Sequence, residues 1–474
     1  MGVTYLFYDL ETSGLSKPFD QIQQFAGKRL DSHFNELESC FLEVQILPDV
    51  IPSPYATITH QVCLDTDENR MTERQAVRKI HALINQPETI SIGYNTLGFD
   101  DEFLRFTFYR NLFTPYTHQY ANGCRRMDVF PMVIFYYLYE NHALSWPQLQ
   151  GRPTLKLEHI VQENGWLLGR AHHAMNDVDA TIQLAKHLEV KNPAMWMYLT
   201  GYFDKTIDQQ RIRSLPHAFE SGLEYCVGLM IHAKFGASNL YQSIVLALGT
   251  HRDFKNQTIW LRLDRQDIAE MTFEALHQSG QITRKKYAEP GFLLPPTKHY
   301  MQYIDVGRME IFMKNLAYLR AHIEILHAIK IAACTFRYPT IEQIDLDAGL
   351  YDAGFLTHEE QGQCSQLHLA RAPEHKKILE KIKNLNLYQQ VIRMLWRSGE
   401  EISIQDQERY IQPLQDKIVQ LHQTSGIYDF QGNEKRGIYQ MNIEIDELKS
   451  QNLNAAQMRA LSSLQAWLHR KYKV

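Results

Sequence analysis

The sequence predicts an α/β layer fold at the N-terminus, then a β-rich segment, then an all-helical one. Three observations carry this reading. Strand-like and helix-like stretches alternate from the start to about Lys191, the pattern of a layered α/β fold. From about Ser214 the texture turns to β-like apolar runs, residues 244–248 and 258–263, separated by the polar turn segment 251–257. From about Ala348 onward helical spacing dominates, as in Met458, Leu461, Leu464 and Leu468. At 474 residues the chain exceeds the size at which one core keeps growing, so two or three domains are expected. Asn192-Pro193 interrupts the first pattern, and the predicted divisions are 1–191, 192–347 and 348–474.

The first strand, residues 3–12, ends in Asp9-Leu10-Glu11-Thr12 and runs directly into a turn at Ser13-Gly14. Alternate residues of a strand share a face, so Asp9 and Glu11 point the same way at its C-terminal end. Two like charges held that close are costly unless a cation lies between them, and a divalent metal is the simplest explanation. A second apolar strand ends at residues 91–95, and Phe99-Asp100-Asp101-Glu102 opens a helical stretch that offers Asp100 as a third carboxylate. His172 and Asp177 follow, five residues apart, where a loop enters a helix expected over residues 178–188. That helix carries Val178, Ile182, Ala185 and Leu188 on one stripe, so its buried face does not depend on the acid.

The order Asp-x-Glu, then Asp after Asn95-x3-Phe99, then His-x4-Asp resembles the DEDDh family of 3′ to 5′ exonucleases. The resemblance implies an RNase H-like fold in which Asp9, Glu11, Asp100 and Asp177 hold two metal ions and His172 is the general base. The competing base is His173, one helical turn from Asp177 if the helix starts early; the family's spacing selects His172. Within that family, the run from Gly93 to Glu102, with Arg105 and the stretch 108–116, is similar to bacterial exonuclease I. So are Gln24-Phe25-Ala26 with Arg29 and Asp31, Leu157-Glu158-His159, Phe235-Gly236-Ala237, and Leu350-Tyr351 with Gly354-Phe355. This likeness implies an SH3-like domain after the nuclease domain, a helical C-terminal domain, and hydrolysis of single-stranded DNA from its 3′ end to nucleoside 5′-monophosphates in DNA repair and recombination. It also implies a partner, the acidic tail of single-stranded DNA-binding protein.

Phosphodiester hydrolysis needs an activated water on one side of the phosphorus and stabilisation of the leaving oxygen on the other, which two metal ions about 3.5–4 Å apart supply. A site of hard oxygen donors without cysteine selects Mg2+, with Mn2+ as a substitute, over zinc. For the DNA strand we expect contacts from Glu11, Arg105, Tyr116 and Tyr120, because aromatic faces stack on unpaired bases and arginines track phosphates. Phe106, Tyr109 and Phe113, at helical spacing, are expected in the core. Lys156 stands where the family usually has a substrate-contacting arginine, and keeps the charge without the bidentate fork. Arg284-Lys285-Lys286 reads as a solvated turn. Two family motifs are absent, Asn-Lys-Cys-Pro after residue 299 and Arg-Asn-Phe-Pro near Arg397, which bears on the DNA clamp and the partner surface rather than on the catalytic centre.

A formal charge of −5 excludes a diffusely basic nucleic-acid binder, so any DNA contact must come from local patches inside a cleft. The six cysteines lack any Cys-x2-Cys pair, which argues against a zinc site or a disulfide scaffold. The longest apolar run, residues 132–139, is too short for a bilayer, and a cytoplasmic monomer without membrane contact is expected. Proofreading or RNA trimming needs only about 190 residues, and the remainder of the chain counts against both. A non-catalytic scaffold would have lost a metal carboxylate, and none is lost.

Overall fold

The computed structural model describes residues 2–61, 70–166, 173–219, 225–269, 271–338 and 340–472. Its first strand, β1 (Thr4–Thr12), buries Leu6, Phe7, Tyr8 and Leu10 on both faces, as a central strand covered by helices must. Antiparallel β2 (Ile22–Leu30) pairs with it on one side and carries β3 (Glu36–Glu43) beyond. Parallel β4 (Thr89–Gly93) pairs on the other side and carries β5 (Arg125–Asp128), giving the order β3-β2-β1-β4-β5. Among the described residues, two helices separate β3 from β4, namely α1 (Pro54–His60) and α2 (Glu73–Ile84), and α3 (Asp100–Arg110) crosses from β4 to β5. The wholly apolar α4 (Val129–Tyr139) follows, then the small hairpin β6 (Gln148–Leu149) and β7 (Arg152–Pro153), α5 (Leu157–Glu163) and α6 (Ala174–Lys191).

The strand's two faces separate the layers. Leu6, Tyr8 and Leu10 pack with Ala76, Val77 and Ile80 of α2 and Phe103, Leu104 and Phe108 of α3. Phe7 packs with Val133 of α4 and Val178 and Ala185 of α6 on the opposite side. By parity Asp9 and Glu11 share the Phe7 face, the one α6 covers. Helix α6 opens at Ala174, a turn earlier than the apolar stripe predicts, because its first turn carries Asn176 and Asp177 and so leaves no apolar signature. Phe106 is buried, and Tyr109 and Phe113 are half-buried.

After α7 (Pro193–Thr200) and α8 (Lys205–Arg213), the strands β8 (Val227–Ile231), β9 (Gln242–Thr250), β10 (Gln257–Arg262) and β11 (Ile282–Lys286) form an antiparallel meander, with α9 (Phe273–Gln278) between the last two. The strand β12 (Phe292–Leu294) returns antiparallel to β8. This five-stranded sheet, order β11-β10-β9-β8-β12, is the SH3-like unit, flanked by α10 (Val306–Ala321) and α11 (Ile323–Thr335). Residues 284–286 are therefore strand rather than turn: Lys285 is fully buried and paired with Asp208 of α8 at 2.8 Å, a partner 77 positions away in sequence that no local pattern reveals.

The C-terminal part is helical, comprising α12 (His358–Leu369), α13 (Ala372–Leu379), α14 (Leu385–Arg397), the short α15 (Ile404–Asp406), α16 (Gln412–Ile418), α17 (Ile438–Lys449) and α18 (Ala455–Tyr472). It docks through apolar contacts of Phe19, Ile46, Leu47 and Ile58 with α16, α17 and α18. Arg397 forks onto Asp49 and Asp347, and Lys435 adds a third contact to Asp49 at 3.1 Å. One apolar core, by contrast, runs without interruption from Phe7 through α4 and α6 into the SH3-like sheet and on to Ala333 of α11. Among the described residues no helix is long and apolar enough to cross a membrane.

Candidate active site

Asp9 and Glu11 stand near the C-terminal end of β1, where the parallel strands β4 and β5 also end. Asp177 comes from the first turn of α6, which packs on β1. Oxygens of these three carboxylates all lie within 4.8 Å of one another. Burial pushes the Asp9 carboxyl well above the usual range, and Asp100, Glu11 and Asp177 add to it by repulsion. Asp100, the first residue of α3, is raised in the same way by burial and by Asp128 and Glu11, against the backbone N–H groups of its own residue and of Leu10. Four acids crowded at a buried strand end are the donor set of a divalent-metal site, and their carboxylate oxygens fit a hard cation.

The loop that delivers Asp100 is built by backbone geometry. A side chain at Gly93 would meet the Tyr8 carbonyl oxygen at 2.9 Å, so only glycine lets β4 end this close to β1. The buried Asp128 carboxylate, at the tip of β5, accepts from the amides of Asn95 at 2.8 Å, Leu97 at 3.2 Å and Phe130 at 3.0 Å. Burial raises Asp128 to about 6 while those amides hold it down. Asp101, next to Asp100 in sequence, points away into a buried cluster. It pairs with Arg105 and Arg126 at 2.6 Å each and with His118 at 2.9 Å. Burial alone would raise Asp101, but Arg126, Arg105 and His118 outweigh it and hold the carboxyl well below its usual range. From the SH3-like unit Glu289 reaches the same cluster, at 3.0 Å from Arg126.

The expected strand contacts divide by exposure. Tyr120 is 68% exposed, and the Lys156 side chain, at the N-terminus of α5, is 69% exposed with Glu158 3.7 Å away. The Tyr94 hydroxyl donates to the Leu155 carbonyl, which ties the segment before α5 to the end of β4. Arg105 is 4% exposed and held by Asp101 and Glu102, so its guanidinium is engaged within the protein rather than presented to a phosphate. Its face lies 5.6 Å from the ring of the half-buried Tyr116. His172 lies outside the described residues. His173 caps α6, with its ring stacked on Phe41 at 5.1 Å.

One residue at this site has no counterpart in the sequence reading. His60, the last residue of α1, pairs through Nδ1 with Oε2 of Glu11. No spacing rule links the two, since 48 residues and a whole strand pair separate them.

The exonuclease family's sequence model matches residues 6–185. Over 288 residues, 58% of its length, the chain is 32% identical to exodeoxyribonuclease I of Escherichia coli K12, and the match covers 57% of that protein. The chain thus spans little more than half the length of that curated relative in sequence alignment. In three dimensions it superposes on E. coli exonuclease I in complex with a dT13 oligonucleotide with a TM-score of 0.84, covering 99% of this chain and 100% of that one at 21% identity. A second solved structure, of an SSB/exonuclease I complex with an inhibitor, matches with a TM-score of 0.81 over 99% of this chain and 100% of that one, again at 21% identity. At such identities the superpositions establish the fold alone: an α/β layer, a five-stranded antiparallel sheet and a helical C-terminal part.

Proposed function

With residues 6–185 forming an exonuclease domain, we propose that this chain is a metal-dependent 3′ to 5′ exonuclease of single-stranded DNA that releases nucleoside 5′-monophosphates, acting in DNA repair and recombination. The observation that carries this reading is the approach of Asp9, Glu11 and Asp177 to within 4.8 Å, beside a buried Asp100. Asp9, Glu11, Asp100 and Asp177 would hold two Mg2+ ions, with Mn2+ able to replace them. When bound, the ions supply charge for the attacked phosphate and the leaving 3′ oxygen. His172 takes the proton of the attacking water, for which an imidazole that is mostly neutral near pH 7 is suited. Glu11 also faces the terminal nucleotide, while Lys156, Tyr116 and Tyr120 line the strand's approach.

The three-unit division at 1–191, 192–347 and 348–474 belongs to the same proposal, with the first unit cutting and the other two guiding the strand. By analogy with the solved SSB complex, the acidic tail of a single-stranded DNA-binding protein is the proposed partner. Incubation with 5′-labelled single-stranded DNA, duplex DNA and RNA of one sequence, with and without Mg2+, tests the reading. Metal-dependent shortening of the single strand from its 3′ end is the expected result. Shortening of RNA at an equal rate, or none of any substrate, overturns it.

A further inference from the structure

We propose that His60 is a positioning residue of the metal site, holding the Glu11 carboxylate in the orientation that receives the cation; this rests on the metal-dependent reading above. The pairing of His60 Nδ1 with Glu11 Oε2 buries both groups, leaving the histidine side chain 15% and the glutamate 5% exposed. With one carboxylate oxygen held against the imidazole in a buried pair, Glu11 is left to present the other in a set direction, which is how groups surrounding a metal's ligands tune it.

The helix that delivers His60 is anchored at both of its approaches. At its start the Ser53 amide donates to the Ser13 carbonyl at 2.6 Å, in the turn that directly follows Glu11's strand. On its outer side the Tyr55 hydroxyl donates to Glu447 of α17 at 2.7 Å, and Ser53 Oγ lies 3.3 Å from Glu444. Helix α1 also packs along α17 and α18. Its length, seven residues ending in a left-handed Gln61, places His60 at the tip nearest β1. The C-terminal helices thereby support a residue that touches the catalytic carboxylate, an influence on the nuclease centre from the far end of the chain.

The test measures metal binding without turnover, by calorimetric titration of Mn2+ into the full-length protein. Wild type should bind; if it does not, the metal-dependent reading itself fails. His60→Ala should weaken Mn2+ binding by about 10–100-fold, the range for groups that orient metal ligands. His60→Asn, whose amide nitrogen overlays Nδ1, should restore most of it. On a Glu11→Gln background His60→Ala should cause no further loss. Should circular dichroism show His60→Ala unfolded, His60→Leu against His60→Asn makes the same comparison with volume kept. Unchanged Mn2+ affinity in the alanine or leucine variant overturns the proposal. So does an asparagine variant as weak as alanine, and so does a loss that persists without the Glu11 carboxylate, which would make His60 a ligand in its own right.

Discussion

At Asp9, burial and three neighbouring carboxylates concentrate negative charge that only a cation relieves. Asp9→Asn should therefore abolish hydrolysis yet stabilise the metal-free protein, by on the order of 1 kcal/mol, a few degrees in melting temperature. Calorimetric scans in EDTA check the second half, and a lower melting temperature would contradict the crowding. For the base, His172→Ala should lower turnover by about 10²–10⁴-fold with DNA affinity nearly kept, whereas His173→Ala should be mild because that ring packs on Phe41. Single-turnover rates of the two variants decide, and the reverse ranking would exchange their roles. At this scale the sequence was readable wherever chemistry is local. Asp9 and Glu11 alternate on one strand, and Asp177 begins one helix. Arg105, expected at the DNA strand, is engaged by Asp101, one helical turn back, and lies near Glu289, a neighbour that arrives only once the chain is folded. His60 gave no signal at all, since nothing in residues 54–60 is periodic with Glu11.

Elements were easier to foresee than their ends. The apolar strands and helices of the nuclease domain sit where the alternation placed them, but α6 starts at Ala174 because a polar first turn hides from a hydrophobic stripe. The same blindness concealed the pairing of α3 with its surroundings. Asp101 fastens the first turn of α3 to β5 through Arg126, whose guanidinium also reaches Glu289 of the SH3-like unit. Asp101→Asn should cost about 3 kcal/mol, since it removes the buried carboxylate that Arg105 and Arg126 share and leaves them Glu102 and Glu289 alone. It should also reduce activity by disturbing the neighbouring Asp100. Urea unfolding midpoints measure the first effect, and a shift under 1 kcal/mol would show that the arginines find other partners.

Across the whole molecule, acid should act in two stages. Burial lowers His81, on α2, and His368, on α12, each to about 4. The unfolded chain, with histidines near 6.5, binds protons first, so stability is full above about pH 6.5 and declines as pH falls toward 4, by on the order of 1–2 kcal/mol for each. Asp49 and Asp347 behave differently: burial opposes their ionisation, yet Arg397 and its basic neighbours hold both well below the usual carboxylate range. Their contribution is intact above about pH 4 and is lost only as pH falls through those depressed values. His368→Phe, which keeps the stack on Phe113, should flatten the first stage and leave the second. Denaturation midpoints at pH 7, 5 and 3 test this, and an unaltered drop between 7 and 5 would refute it.

The apolar core shared by the N-terminal sheet and the SH3-like sheet limits how this chain can be cut apart or recombined. Val133 and Tyr136 of α4, Leu188 of α6 and Trp196 of α7 sit in the same body of side chains as Leu229, Ile244 and Phe292. A gene fragment stopping at Lys191 would strip away half of that body and leave an oily face in water, so the catalytic module is not a cassette that can be transplanted onto another protein. Expression of residues 1–191 alone should give aggregated material, while a fragment ending after Thr335 should retain its nuclease sheet. In this chain the part proposed to cut and the part proposed to guide the strand are one folding unit, and natural shuffling of the two would have to carry both together.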